Sequence, residues 1–142
     1  GMSDLVSVVT PERLNELEAA MLAEPQVDCS IEHVFLPGLY IRMGLMPAGT
    51  VVLGHAWKAP NMNVMISGEA YVQTGGNWKR LVAPQTFVAP AGRKLFYAVT
   101  DVRWANVVVT DLTDVARIEA ELVETTETWR AAQEAACLSH QQ

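Results

Sequence analysis

Carboxylates are almost missing from the middle of this chain. Between residues 33 and 110 only Glu69 and Asp101 are acidic, against seven lysines and arginines. Paired carboxylates for acid–base work are therefore not visible there. Cysteine is equally scarce. Cys29 and Cys137 lie near opposite ends, with no CxxC spacing and no histidine at zinc spacing, which leaves two reduced thiols and excludes a disulfide scaffold. The longest charge-free stretch, Gly44 to Trp57, is broken by Pro47 and is too short to cross a bilayer. No Lys/Arg cluster exceeds two in a row and the net charge is −6, which speaks against nucleic acid. Gly-x-Ser-x-Gly, a phosphate loop, internal repeats and low-complexity segments are all absent. The start Gly1-Met2-Ser3-Asp4 lacks a basic, apolar leader, so a cytoplasmic location is expected, with Gly1 read as a tag remnant.

What is present is a core-forming composition. Half of the 142 residues are hydrophobic, enough for one domain with a real interior. Charge is segregated: residues 1–32 carry a net −6, residues 111–142 a net −5, and the centre a net +5. Either the centre attracts an anionic ligand or the acidic arms lie against it. Thr10-Pro11 opens a helix with Leu14, Leu17 and Met21 at helical spacing, and Pro25 ends it. Short runs rich in Val, Ile, Tyr, Phe and Trp follow. They are Ile31–Leu36, Leu39–Met46, Thr50–Trp57, Asn63–Ser67, Glu69–Thr74, Trp78–Val82, Thr86–Ala89, Lys94–Val99 and Val102–Val109. Gly75-Gly76 reads as a hairpin between two of them. After Thr110 the helical period returns with Val115, Ile118 and Leu122, a stripe that must bury on this barrel or on a second copy. Another helix is expected from Trp129 to Cys137. The expected plan is an arm with a helix (1–30), an antiparallel β-barrel or sandwich (31–110) and a helical segment (111–142).

The segment from Gly49 through His55, Trp57 and Asn61 to Gly68 resembles the first motif of the cupin superfamily. In that motif, Trp57 stands at the second histidine and Asn61 at the glutamate. Pro90-Ala91-Gly92 resembles the second motif, with Leu95 at its histidine, Val99 at its asparagine and Pro84 at the preceding glycine. The resemblance covers about residues 38–110. It implies a mostly β, cupin-type antiparallel jelly roll and a homodimer. A looser similarity links Leu39-Tyr40-Ile41-Arg42, Met46–Gly49, Asn63–Gly68, Arg103-Trp104 and Thr110-Asp111 to short cupin-like phage proteins. In that pattern Asn61 and Val108 stand at further histidine positions, and the similarity implies possible virion association.

The family's metal is held by about three His and one Glu. Only His55 stands among those ligands here, so no metal and no other cofactor are expected. If His55 points inward, strand alternation adds Leu53 and Trp57. The motif positions add Asn61, Asn63 and Met65, then Leu95, Tyr97 and Val99, then Val108, Asn106 and Trp104. The expected ligand-binding set is His55, Trp57, Asn61, Asn63, Met65, Tyr97, Trp104 and Asn106. His55 reads as a base, a ligand anchor or an interior histidine. Asn61 reads a ligand or shapes a turn. Tyr97 donates to a ligand or sits in the core, and the two tryptophans stack a ligand or plug the cavity. Arg42 is expected outside or at the rim, because Leu39, Ile41, Met43 and Leu45 look like the core face. Two functions remain open. One is a non-catalytic cupin-fold protein that binds a small molecule or serves an assembly. The other is a metal-free isomerase, epimerase or lyase with His55 as base and Tyr97 as acid.

Overall fold

The computed structural model describes residues 10–74 and 77–141, so the hairpin expected at Gly75-Gly76 lies outside the described residues. Helix α1 spans Pro11–Leu22, and the Thr10 side chain caps it by accepting from the Arg13 amide at 3.2 Å. Ten strands follow: β1 Glu32–Leu36, β2 Leu39–Met46, β3 Val51–Leu53, β4 Ala56–Trp57, β5 Asn61–Ser67, β6 Glu69–Thr74, β7 Asn77–Val82, β8 Gln85–Ala89, β9 Leu95–Ala98 and β10 Val102–Val109. The run expected over Thr50–Trp57 is two strands, broken at Gly54-His55. Helix α2 spans Val115–Leu122 and is capped by Asp114, which accepts from the Ala116 amide at 2.8 Å. A short strand β11, Val123–Glu124, pairs with β4. Helix α3 spans Glu127–Gln141, starting two residues before Trp129 because the Thr126 hydroxyl accepts from the Trp129 amide.

The strands form two antiparallel layers. One has the order β1-β2-β10-β5-β8 and the other β3-β9-β6-β7. From β7 to β10 successive strands alternate between the layers in jelly-roll fashion, whereas β1 and β2, and β6 and β7, pair within one layer. At the β5–β6 turn Gly68 has φ +96, and a Cβ there would lie 2.2 Å from the Asp101 carbonyl oxygen, so only glycine fits.

The interior divides into two clusters. Met46, Met65, Ala70, Val72, Leu81, Phe96, Ala98, Val102 and Trp104 fill one. Tyr40, Trp57, Val108, Ile118 and Val123 form the other, under α2. The stripe of α2 therefore buries on this same barrel through Ile118. One ion pair among the described residues joins the acidic N-terminal arm to a base of the centre. Buried Glu18 of α1 pairs with Arg93 at 2.7 Å and takes a hydrogen bond from Thr126, which ties α1 to the barrel and to the start of α3.

Alternation reverses two expectations. On β2 the inward residues are Tyr40, Arg42, Gly44 and Met46, so Arg42 faces the barrel interior and Leu39, Ile41, Met43 and Leu45 face out. On β9, Phe96 and Ala98 are buried opposite Val72 and Ala70, which turns Tyr97 outward beside Tyr71, 40% exposed. Val99 is also exposed, and Leu95 pairs with Leu53 on the outward parity. The break at Gly54-His55 is why Leu53 does not share a face with His55.

Candidate functional site: a polar barrel mouth

The five-stranded sheet carries one polar row across its inner face. His33 of β1 stands opposite Arg42 of β2, Arg42 opposite Asn106 of β10, Asn106 opposite Asn63 of β5, and Asn63 opposite Phe87 of β8. Asn63 is the hub and is fully buried. Its Oδ1 accepts from Trp104 Nε1 and from Asn106 Nδ2, each at 2.9 Å. Its Nδ2 donates to Asn61 Oδ1 at 3.1 Å, and that oxygen also accepts from Asn106 Nδ2 at 3.0 Å. These bonds offset the desolvation of three amides inside a barrel. One donor is left over: Asn61 Nδ2 is buried with no partner.

Next to this row, His55 sits between two indoles, edge-on to Trp57 at 5.7 Å and to Trp129 of α3 at 5.8 Å. Its Nε2 lies 3.2 Å from Glu119 Oε2 of α2. That is ion-pair distance, but Nε2 is buried and makes no aligned hydrogen bond. Contact with the His55 ring holds the Glu119 carboxyl below the usual glutamate range, against burial that pushes it up; Arg42 and His33 add to the lowering. Beneath them, His33 Nδ1 and the Tyr40 hydroxyl share a 2.7 Å hydrogen bond. Burial, then the charge of Arg42, push the His33 imidazole down. Burial raises the Tyr40 phenol. Arg42 belongs to no contact ion pair among the described residues.

Seven of the eight expected residues lie on the inner surface: His55, Trp57, Asn61, Asn63, Met65, Trp104 and Asn106. They are not one site. Asn61, Asn63 and Asn106 form the polar cluster, with His55 beside it and Trp57 edge-on to His55. Met65 and Trp104 belong to the apolar cluster, where Trp104 packs edge-on against Phe96 at 4.5 Å and Phe87 at 5.7 Å while its Nε1 reaches Asn63. Tyr97, facing out, is absent from both, which removes the expected acid partner of His55.

Sequence reasoning missed His33, Tyr40, Arg42, Glu119 and Trp129. Glu119 had a signal: it flanks the apolar stripe of α2, one residue after the buried Ile118, so a helix seated on the barrel carries Glu119 to its rim. Arg42 had one too, the parity it shares with Tyr40. Among the described residues no three His, Cys, Asp or Glu come together, and Leu95 and Val99 point away from His55. No helix among the described residues is long and apolar enough to cross a membrane.

No protein-family model matches the chain, and no curated protein matches it. Solved structures do. A conserved protein of unknown function from Streptococcus pyogenes shares 23% identity over 63% of this chain and 80% of its own, with a TM-score of 0.50. KdgF from Halomonas sp. shares 19% identity over 61% of this chain and 81% of its own, also with a TM-score of 0.50. A cupin superfamily protein from Desulfitobacterium hafniense shares 12% identity over 66% of this chain and 87% of its own, with a TM-score of 0.49. At such identities the likeness is one of fold. The chain has the mostly β cupin fold, with helices toward both ends.

Proposed function

We propose that the polar mouth binds a small, acceptor-rich anion of the hydroxy- or keto-carboxylate class, and that the protein acts through this binding rather than through a bound metal. The observation that carries the reading is a surplus of donors. Arg42 forms no contact ion pair among the described residues, and Asn61 Nδ2 is buried without a hydrogen bond, while His55 Nε2 has only the Glu119 carboxylate beside it, at 3.2 Å. A buried donor without an acceptor costs roughly 1–3 kcal/mol, which a ligand with several oxygens offsets. A guanidinium also matches a carboxylate in two-point geometry. Trp57 and Trp129 supply the flat apolar walls common in small-molecule sites. Calorimetric titration with a panel of hydroxy- and keto-carboxylates tests this. Saturable binding is expected in the wild type and at least a tenfold weaker association in Arg42→Met; equal binding by the variant would overturn the assignment.

One observation favours a second reading, metal-free acid–base catalysis. Glu119 stands beside His55 and supplies the orienting carboxylate that the strands lack. In that reading the ligand is a 2-hydroxycarboxylate: His55 takes the proton from its α-carbon, the electron pair left behind delocalises into the carboxylate held by Arg42, and Glu119 steadies the imidazolium that results. Exchange of the ligand α-proton with deuterium, lost in His55→Ala while binding persists, is the expected sign. A ligand that binds without exchange leaves binding as the function.

A further inference from the structure

On the outer side of the four-stranded sheet, a cavity of about 380 Å³ opens between α1, one end of that sheet and the β11–α3 turn. Gln73 of β6 lines it. Alternation puts Gln73 on the outward parity of β6 with Tyr71, because Val72 between them is buried opposite Phe96. The two differ sharply in exposure: Tyr71 is 41% exposed and Gln73 only 2%. Burial has nonetheless brought the Gln73 carboxamide no partner. Its Nε2 is buried and makes no hydrogen bond. Other polar side chains around the cavity are committed. Arg93 donates from Nε to the Gly54 carbonyl at 2.9 Å and from Nη2 to Glu18 at 2.7 Å. The Thr126 hydroxyl donates to Glu18 and accepts from the Trp129 amide. Pro11 and Leu14 of α1 and Ala56 of β4 supply the apolar wall, and no aromatic side chain among the described residues lines the cavity.

We propose that this cavity is a second binding site, for a small neutral ligand that carries an amide or lactam on an aliphatic body. It is separate from the polar mouth and does not rest on the anion reading there. Charge sets the class. Arg93 is the cation at the cavity, and Glu18 already neutralises it at contact distance. Glu124 also lines the cavity, is exposed, and belongs to no contact ion pair among the described residues. An anion therefore finds no free cation and meets a carboxylate. An ammonium group gains little, because the Glu124 carboxylate stands in water. The unmet buried group is instead a neutral carboxamide. Its complement is another amide, whose carbonyl accepts from Nε2 and whose N–H donates to Oε1. The last torsion of a glutamine is soft, so the Gln73 amide can turn to meet such a ligand. The wall sets the body. Proline, leucine and alanine cover an aliphatic chain, whereas a flat aromatic ring finds no ring to stack on. The volume falls within the roughly 300–1,000 Å³ of small-molecule sites.

The experiment is a heteronuclear NMR titration of the full chain with pentanamide and ε-caprolactam at millimolar concentrations. Pentanoate and pentylamine, which carry the same chain on a charged end, are titrated beside them. Both amides are expected to shift the Gln73 side-chain amide and the Arg93 Nε–H signals saturably. The two charged ligands should associate at least tenfold more weakly. Gln73→Leu keeps most of the side-chain volume and removes the amide. It should weaken pentanamide association at least tenfold, read at Arg93, with a melting temperature equal to the wild type's or higher, since a buried unsatisfied donor is gone. Leu14→Trp fills the cavity from the α1 side, leaves Gln73 in place, and should abolish the shifts even where Gln73→Leu does not fold. A wild type without saturable shifts at Gln73 would overturn the proposal. So would pentanoate or pentylamine binding as tightly as pentanamide, or amide binding that survives Gln73→Leu or Leu14→Trp.

Discussion

The two faces of the five-stranded sheet are built from alternate residues of the same strands, yet they obey opposite rules. The inner row is His33, Arg42, Asn106 and Asn63; the outer row one residue along is Val34, Ile41, Val107 and Met62. Polarity therefore does not tell inside from outside in this sheet. Closure does. The inner row is roofed by the opposite layer and by α2, and its amides bond one another, with Asn61 Nδ2 left over. The outer row has no cover from the described helices. The lesson concerns cost: a change to the inner row breaks a buried hydrogen-bond network, whereas a change to the outer row alters a surface of the isolated chain.

The strongest way to break that comparison is at neighbouring residues of β5. Asn63→Ala strands Trp104 Nε1 and the Asn106 amide in the interior. A loss of roughly 2–4 kcal/mol in urea unfolding is expected, from unsatisfied polar groups plus the vacated volume. Met62→Ala, one residue away on the outer face, should cost about 1 kcal/mol or less. Equal losses would mean that the inner network does not hold the sheet.

A smaller effect separates the rim from the outer face by pH. The Glu119 carboxyl is depressed in the fold, so the stability it contributes is present above the unfolded value of 4.5 and is lost as pH falls through the lower folded value. His33 acts in the same direction from 6.5 downward, because its imidazole is also depressed. Acid unfolding should thus proceed in two stretches. Glu119→Gln should flatten the lower one and keep the upper. Unfolding free energies measured between pH 3 and pH 7 check it, and a variant whose whole acid limb vanishes would show that His33 takes no part.

Much of the architecture was legible in the residues, because local chemistry decides it. The Thr10-Pro11 helix start, the full extents of β2, β6 and β10, and the Gly68 turn follow from capping, β-branched runs and a backbone position closed to any Cβ. Facing was less legible. On β2 the more apolar parity reads as the core yet faces out, and on β9 the motif in which Leu95 replaces a histidine points to the parity that also faces out. Alternation fixes which residues share a face but not which face is covered, and the cover here comes from α2 and the opposite sheet. The site was half legible for the same reason. His55 and the three asparagines sit on motif strands, whereas Arg42 depended on facing, and Glu119 and Trp129 arrive on helices far along the chain.

The smallest expected effect comes from the other layer, where two neighbouring residues again part ways. Arg93 is satisfied outside the barrel by Glu18 and the Gly54 carbonyl. Alternation from Phe96 and Ala98 places Lys94 on the inner side, and no carboxylate pairs with it among the described residues. Burial pulls its ammonium down to about 8, from 10.5 in the unfolded chain. Between those values the unfolded chain holds more protons, so Lys94 makes stability rise with pH. Cys29 and Tyr40 oppose it, since burial raises both and their unfolded forms ionise from about 9 and 10. The net wild-type rise is therefore shallow and confined to about pH 8–9. Lys94→Met should abolish it, leaving a profile that is flat to pH 9 and then falls. Denaturant midpoints at half-unit steps from pH 7.5 to 10 resolve the difference, and a variant that keeps the rise would place Lys94 in water rather than on the inner face.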